Sequence, residues 1–336
     1  MVKSRLLSTL ALWATFFALG VIALGAFTRL MDAGLGCPDW PGCYGHLIVP
    51  TSVSSEQAAL TPLVTYKAWA EMIHRYFVGG LSLFILAIIA LILGKKTYRS
   101  RSNVIFSILL TILLIYQILL GQWTVTYKLL PIVVTQHLLG GFFILVILWA
   151  IYLNNRVYAF MPMTIPQDKK IIAMTSLALF FVIAQIALGA WTSTNYASLS
   201  CPDFPFCINE QPLQTLEYKK AFTLISPVGV NYEGGVLPTP VRQTIQMTHR
   251  FGALFVTLYL MALVIFIFIK NRADVFKNAY LILSVLIVQI CLGVSNVIFK
   301  LPLATAILHN LFAALLLLSV ITLLYKLISP NRLLDR

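Results

Sequence analysis

Long apolar runs alternate along the chain with short breaks that are polar and mostly basic. The runs cover roughly residues 8–30, 68–93, 104–126, 132–153, 170–193, 243–269, 277–298 and 302–325. A helix needs about 20 apolar residues to cross a hydrocarbon layer about 30 Å thick, and each run is long enough. The pattern therefore predicts an all-α integral membrane protein with eight transmembrane helices. The first run has no small-residue cleavage site and outlasts the apolar region of a signal peptide, so it is expected to remain as a helix.

The breaks differ in charge. With the amino terminus placed in the cytoplasm, the inner segments carry Lys3 and Arg5; Lys95, Lys96, Arg99 and Arg101; Arg156, Lys169 and Lys170; Lys270, Arg272 and Lys277; and Lys326, Arg332 and Arg336. The short outer turns carry only Lys128 and Lys300. By the positive-inside rule both termini are then cytoplasmic, in a bacterial plasma membrane, and the long connections 31–66 and 194–242 face outward. Composition agrees: 60% of residues are hydrophobic and 10% charged, against about 25% charged in a soluble domain. The net charge of +13 would suggest nucleic acid in a soluble chain. Here the basic residues lie in short inner loops, where topology accounts for them, and no nucleic-acid partner is expected.

The chain repeats itself. GAFTRLMDAGLGCPDWPGC from Gly25 matches GAWTSTNYASLSCPDFPFC from Gly189, at an offset of 164. EMIHR from Glu71 matches QMTHR from Gln246, and QILLGQWTVTYKLLPIVVTQHLLG from Gln117 matches QICLGVSNVIFKLPLATAILHNLF from Gln289, at offsets of 175 and 172. The drift implies a longer outer loop in the second half. Two pseudo-symmetric four-helix bundles are expected, 1–155 and 156–336, related by an axis near the membrane normal.

Each outer loop carries two cysteines six positions apart, Cys37 and Cys43, then Cys201 and Cys207. In an oxidising compartment a local disulfide within each pair is the first reading. A zinc site drawing ligands from both loops and a thiol–disulfide exchange centre are the alternatives. Cys291, in an apolar run, reads as packing, and His46 as a solvated or locally bonded loop residue.

Four histidines occupy matched positions on helices that run inward: His74, His137, His249 and His309. They lie 7 to 9 residues beyond Lys67, Lys128, Arg242 and Lys300, which puts them roughly 10–14 Å down their helices at similar depth. Ionisable groups within a membrane need partners and mark function. Two imidazoles from facing helices can supply both axial ligands of a heme, and a bundle core can enclose the macrocycle. An isolated zinc ion would need more ligands than each pair offers. Arg75 and Arg250 follow their histidines and could meet heme propionates or snorkel to headgroups.

The halves differ at one position. Glu71 precedes His74 by three residues, and its counterpart is Gln246. A carboxylate can take a proton or orient water, whereas an amide cannot act as that base. This assigns chemistry to the first half and a retained cofactor to the second; an ion pair with Lys67 is the structural alternative for Glu71. Gln117 and Gln289 precede His137 and His309 at equal spacing and carry no assigned step.

Over essentially its whole length the chain resembles the heme A synthase family. The resemblance rests on the cysteine-containing first loop, Glu71-Met-Ile-His74-Arg75, His137, Gln246-Met-Thr-His249-Arg250 and His309. It implies an eight-helix enzyme of two four-helix halves that oxidises the C8 methyl group of heme O to the formyl group of heme A. The route implied is successive hydroxylation through a hydroxymethyl heme, with water-derived oxygen. His74 and His137 would bracket the substrate heme O, with Glu71 catalytic, and His249 and His309 would ligate a resident heme b. Implied partners are a heme O synthase, oxidase assembly factors, a membrane electron acceptor and a second copy of the chain. A di-heme b-type electron-transfer cytochrome would explain the four histidines equally, though not the difference between Glu71 and Gln246. A thiol–disulfide oxidoreductase would leave the histidines unexplained, and a transporter would leave the heme-like pairing idle.

Overall fold

The computed structural model describes residues 5–156, 168–208 and 216–328. Lys3, Arg332 and Arg336, counted above with the inner segments, lie outside them. Eight helices are long and apolar enough to cross a membrane: α1 (Arg5–Leu30), α3 (Thr65–Gly94), α4 (Arg101–Thr126), α5 (Pro131–Asn155), α6 (Lys169–Thr194), α8 (Thr239–Ile269), α9 (Phe276–Ile298) and α10 (Leu303–Ile328). Two short helices, α2 (Ser55–Leu60) and α7 (Tyr218–Ala221), sit in the long connections. Among the described residues there is no strand; Cys43 and His46 form an isolated bridge.

Local chemistry sets the helix ends. The Ser100 hydroxyl accepts from the Asn103 N–H, and the Asp168 carboxylate accepts from the N–H groups of Lys170 and Ile171, so orphan donors of α4 and α6 are capped. Pro131 opens α5, where its missing N–H costs nothing. α3 and α8 begin three and four residues ahead of their apolar runs. Their first turns are polar and lie beneath the outer loops, so hydropathy alone misses them.

Helices α1, α3, α4 and α5 pack in a ring, each against the next, and α6, α8, α9 and α10 do the same. The two sets meet through α1 with α10 and α5 with α6. A single apolar cluster fills one end of the molecule and runs through both sets. On the histidine-bearing helices its residues all lie beyond the histidines, including Ile85 and Ile88, Leu145 and Leu148, Leu260 and Leu263, and Leu317 and Leu323. The other end holds the disulfide loops, and the four histidines lie between.

Each long connection also serves the other set. The Arg29 guanidinium stands 3.8 Å from the centroid of the Tyr196 ring, the Tyr196 hydroxyl donates to Asp32 at 2.8 Å, and Arg29 also donates to the Ser193 carbonyl. Asp32 and Tyr196 are repeat equivalents, both at positive φ. Burial raises the Tyr196 phenol above its ordinary value. Farther along the second loop, Glu233 pairs with Lys67 at 3.2 Å, and the Tyr232 N–H donates to the Lys128 carbonyl at 3.0 Å. Lys67 is therefore not the partner of Glu71.

At the opposite end, buried Asn103 donates to Tyr98 O and Asn155 Oδ1 and accepts from Asn154 and Asn155. Asn103→Leu removes both bonds between Asn103 and buried Asn155. It is expected to cost about 1–3 kcal/mol, read as a lower unfolding temperature in detergent; an unchanged temperature would count against this bond set.

Candidate functional site

His74, His137, His249 and His309 project from α3, α5, α8 and α10, and each ring is half-buried. They act in two pairs. The His74 ring is within electrostatic reach of His137, and His249 of His309. Each ring lies against a glycine of the preceding long helix. A methyl group built on Gly25, Gly121, Gly189 or Gly293 would stand 3.1, 3.5, 3.1 or 3.0 Å from Cε1 of His74, His137, His249 or His309. A side chain at Gly25, Gly189 or Gly293 would crowd the imidazole, so these three glycines serve close approach, whereas a methyl group at Gly121 would make ordinary contact.

One turn before each of those glycines stand Val21, Gln117, Gln185 and Gln289, three of them polar. Gln185 Nε2 lies 2.9 Å from His249 Nδ1 and donates to the His249 carbonyl at 2.9 Å. Gln289 Nε2 lies 3.4 Å from His309 Nε2. Glycines one turn beyond two of the histidines admit these amides, since a methyl group at Gly140 or Gly252 would overlap Gln117 or Gln185. Nδ1 of His74, His137 and His309 is buried with no protein partner.

Toward the loops, the same chemistry appears twice. Cys37–Cys43 and Cys201–Cys207 are disulfides, which leaves none of these four thiols for zinc or for a free dithiol. The first packs against Met72 and the second against Met247. Glu71 Oε2 accepts from the Cys37 N–H at 2.9 Å, and Gln246 Oε1 accepts from the Cys201 N–H at 2.6 Å. Arg75 donates to the carbonyls of Asp39, Pro41 and Gly42 and pairs with Glu71 Oε1. Arg250 donates to the carbonyls of Cys201, Asp203, Pro205 and Phe206. Both arginines therefore pin a disulfide loop to the helix below. Neither snorkels, and their guanidiniums are occupied by loop carbonyls that the helix phase alone did not reveal. Within the first loop, the Asp39 carboxylate accepts from the N–H groups of Tyr44 and Gly45. Burial raises the Tyr44 phenol above its ordinary value, with Asp39 and Glu71 adding to the effect.

The chain matches the COX15-CtaA family, described as a cytochrome oxidase assembly protein, over residues 8–321. The chain belongs to this family. Its relatives include a protein named "Heme A synthase" from Shewanella oneidensis, 43% identical over 92% of this chain and 93% of that relative. Proteins of the same name from Lysinibacillus sphaericus and Bacillus cereus are 25% and 26% identical over 94% and 93% of this chain, and over 93% and 90% of theirs.

In this COX15-CtaA member the paired rings and the buried carboxylate stand out as groups able to do chemistry. Among the described residues no cluster of three or more His, Cys, Asp or Glu could hold an isolated metal ion. Two facing imidazoles without a third ligand suit a planar, four-coordinate metallocycle needing only axial donors. Glu71 is buried, with both oxygens engaged by Cys37 and Arg75. Gln185 and the four glycines were missed from the sequence. Their signal is a fourfold motif, VIALG, QILLG, QIALG and QICLG, ending at Gly25, Gly121, Gly189 and Gly293.

Cys291 is exposed on α9 rather than packed. An apolar helix gives no hydropathy contrast between its core face and its bilayer face, so its position alone could not tell them apart. Maleimide labelling of the unreduced, solubilised protein is expected to modify one cysteine, Cys291, and labelling after reduction and unfolding all five. Three or more labels before reduction would refute the disulfide pairing.

Proposed function

We propose that the chain is a heme A synthase that oxidises the C8 methyl group of heme O to a formyl group through a hydroxymethyl intermediate. One observation carries the reading: two pairs of glycine-seated histidines share a repeat, but only one pair has a carboxylate beside it. The loop-holding bond made by Glu71 is made equally by Gln246. A charged carboxylate is therefore not required for that bond, and its presence at the first pair alone points to proton chemistry there.

In this reading residues 1–155 form the reacting half and 156–336 the half with the resident cofactor, as two pseudo-symmetric bundles. His74 and His137 hold the substrate heme O by its iron. Their half-buried rings and unpartnered Nδ1 atoms fit axial ligands whose remaining nitrogen awaits a proton and an acceptor. The disulfide loop pinned by Arg75 lies over the outer end of this pocket and limits water. As the C–O bond from water replaces a methyl C–H bond, that C–H bond gives up a proton and its electron pair passes to the membrane electron acceptor, while Glu71 takes a proton at a carboxylate oxygen from the water or hydroxyl that supplies the oxygen. His249 and His309 hold heme b, and the same fit applies at His309 Nδ1. When bound, heme b supplies a one-electron relay to a membrane electron acceptor. The farnesyl tail of heme O explains a site in the bilayer, since transfer through lipid avoids exposing that tail to water.

Basic inner segments place both termini in the cytoplasm of a bacterial plasma membrane, with the disulfide loops outside. The family's description as an oxidase assembly protein supports delivery of heme A to assembly factors and receipt of heme O from a heme O synthase. A second copy of the chain is a further partner in this reading.

Co-expression with a heme O synthase, followed by pigment extraction and mass spectrometry, is expected to give heme A. Only heme O and heme b would favour a di-heme electron-transfer cytochrome instead. Glu71→Gln is expected to keep the fold and heme b yet lower heme A formation by about 10²–10⁴-fold; activity within a few-fold of the parent would return Glu71 to loop holding alone. His249→Ala and His309→Ala should each remove the low-spin b-type spectrum, and its survival in both would sink the cofactor assignment.

A further inference from the structure

Three of the four histidine modules carry a glutamine one turn before the seating glycine, and one of these contacts is close. Gln185 Nε2 reaches His249 Nδ1 and the His249 carbonyl, each at 2.9 Å. Its Oε1 is buried with no hydrogen-bond partner. Gly252 leaves the room that the amide occupies. A buried amide oxygen without a partner costs about 1–3 kcal/mol, so its persistence calls for a use.

The donor direction supplies one. Accepting from Gln185, His249 Nδ1 holds a lone pair, and the ring proton sits on Nε2. With Nδ1 taken up by Gln185, Nε2 is the nitrogen available to a metal. An imidazole that binds iron through Nε2 must carry its proton on Nδ1 and present it as a donor, and that second bond sets ring orientation and ligand basicity.

We propose that Gln185 is a positioning residue for His249, which turns its amide when heme b binds so that Oε1 accepts the Nδ1–H bond and strengthens the imidazole as an axial donor. This rests on the reading of His249 and His309 as the heme b ligands. The turn gives up the bond to the His249 carbonyl and places Nε2 where Oε1 stood, so the bond gained is the one from Nδ1–H to Oε1. The other modules lack this arrangement. Val21 has no polar side chain and meets His74 only through its backbone, Gln117 Nε2 is itself unpartnered, and Gln289 approaches His309 at Nε2 rather than Nδ1, at 3.4 Å. The resident-cofactor half thus has one ligand held by a second bond, while the proposed substrate pair has none of that kind.

The test uses the purified full-length chain with its heme, optical redox titration and low-spin electron paramagnetic resonance. A stronger axial donor favours ferric iron. Gln185→Leu should therefore raise the heme b midpoint potential, by about 59 mV if the ferrous-to-ferric ratio changes tenfold, and lower heme affinity about 10–100-fold. Gln185→Glu, an acceptor that needs no turn, should shift the potential the opposite way. Gln117→Leu, at the other pair, should leave it where it was. Unchanged potentials in both Gln185 variants, shifts of the same sign, or an equal shift with Gln117→Leu would overturn the proposal. Survival of the b-type spectrum in both His249→Ala and His309→Ala would instead overturn the ligand assignment beneath it.

Discussion

Hydrocarbon offers no hydrogen-bond partner, so a polar side chain that enters it must be met by protein or by a bound group. This constraint organises the whole structure. The end of the molecule beyond the histidines is packed with aliphatic side chains through both helix sets. The level above contains imidazoles whose ring nitrogens the protein leaves partly unmet. Above that again, arginines, a glutamate and a glutamine spend their hydrogen bonds on the loops. Polarity thus rises in layers from the apolar end to the loops, and the histidine layer is where protein groups alone do not complete the bonding.

The glycines make that layer geometrically possible. A ring on one helix lies inside the bundle where the neighbouring helix gives way, and Gly25, Gly189 and Gly293 do so closely, with Gly121 at the same register. A glycine within a helix costs about 1 kcal/mol relative to alanine. Four such positions facing four histidines would be a poor arrangement for stability alone. The cost is understandable if the rings must stand where two opposed imidazoles can share a planar group between helices.

How much of this could be read from the chain follows from the range of each interaction. The eight spans were legible because burial in lipid demands unbroken apolar runs, and their ends shifted by a few residues where polar turns extend the helices, as at Thr65 and Thr239. The disulfides were legible because a separation of six residues within a short loop leaves few other partners. The histidines were legible because they recur. Arg75 and Arg250 were not, because a residue's direction around a helix does not say which carbonyls a folded loop will bring to it. Gln185 lay in plain view in QIALG, but its meaning depends on a second helix, and only the matched glycines reveal the register. The outward face of Cys291 is invisible for a related reason: core and lipid make the same demand on composition.

The longer second loop shows what the repeat alone cannot supply. Its added length places Tyr232 among Leu120, Leu129, Leu130 and Val133 of the first helix set and Glu233 beside Lys67 at the head of α3. Together with the Arg29, Asp32 and Tyr196 contacts, these bonds join the sets on the loop side, while the shared aliphatic cluster joins them at the other end. Two independent bundles in a fluid bilayer could slide or separate, since lipid tails solvate apolar helix faces as well as other helices do. In the proposed reading, electron exchange between two cofactor sites would require a fixed separation. The polar clamp on the loop side is the feature best suited to hold it, because hydrophobic burial provides little net attraction between helices within the membrane.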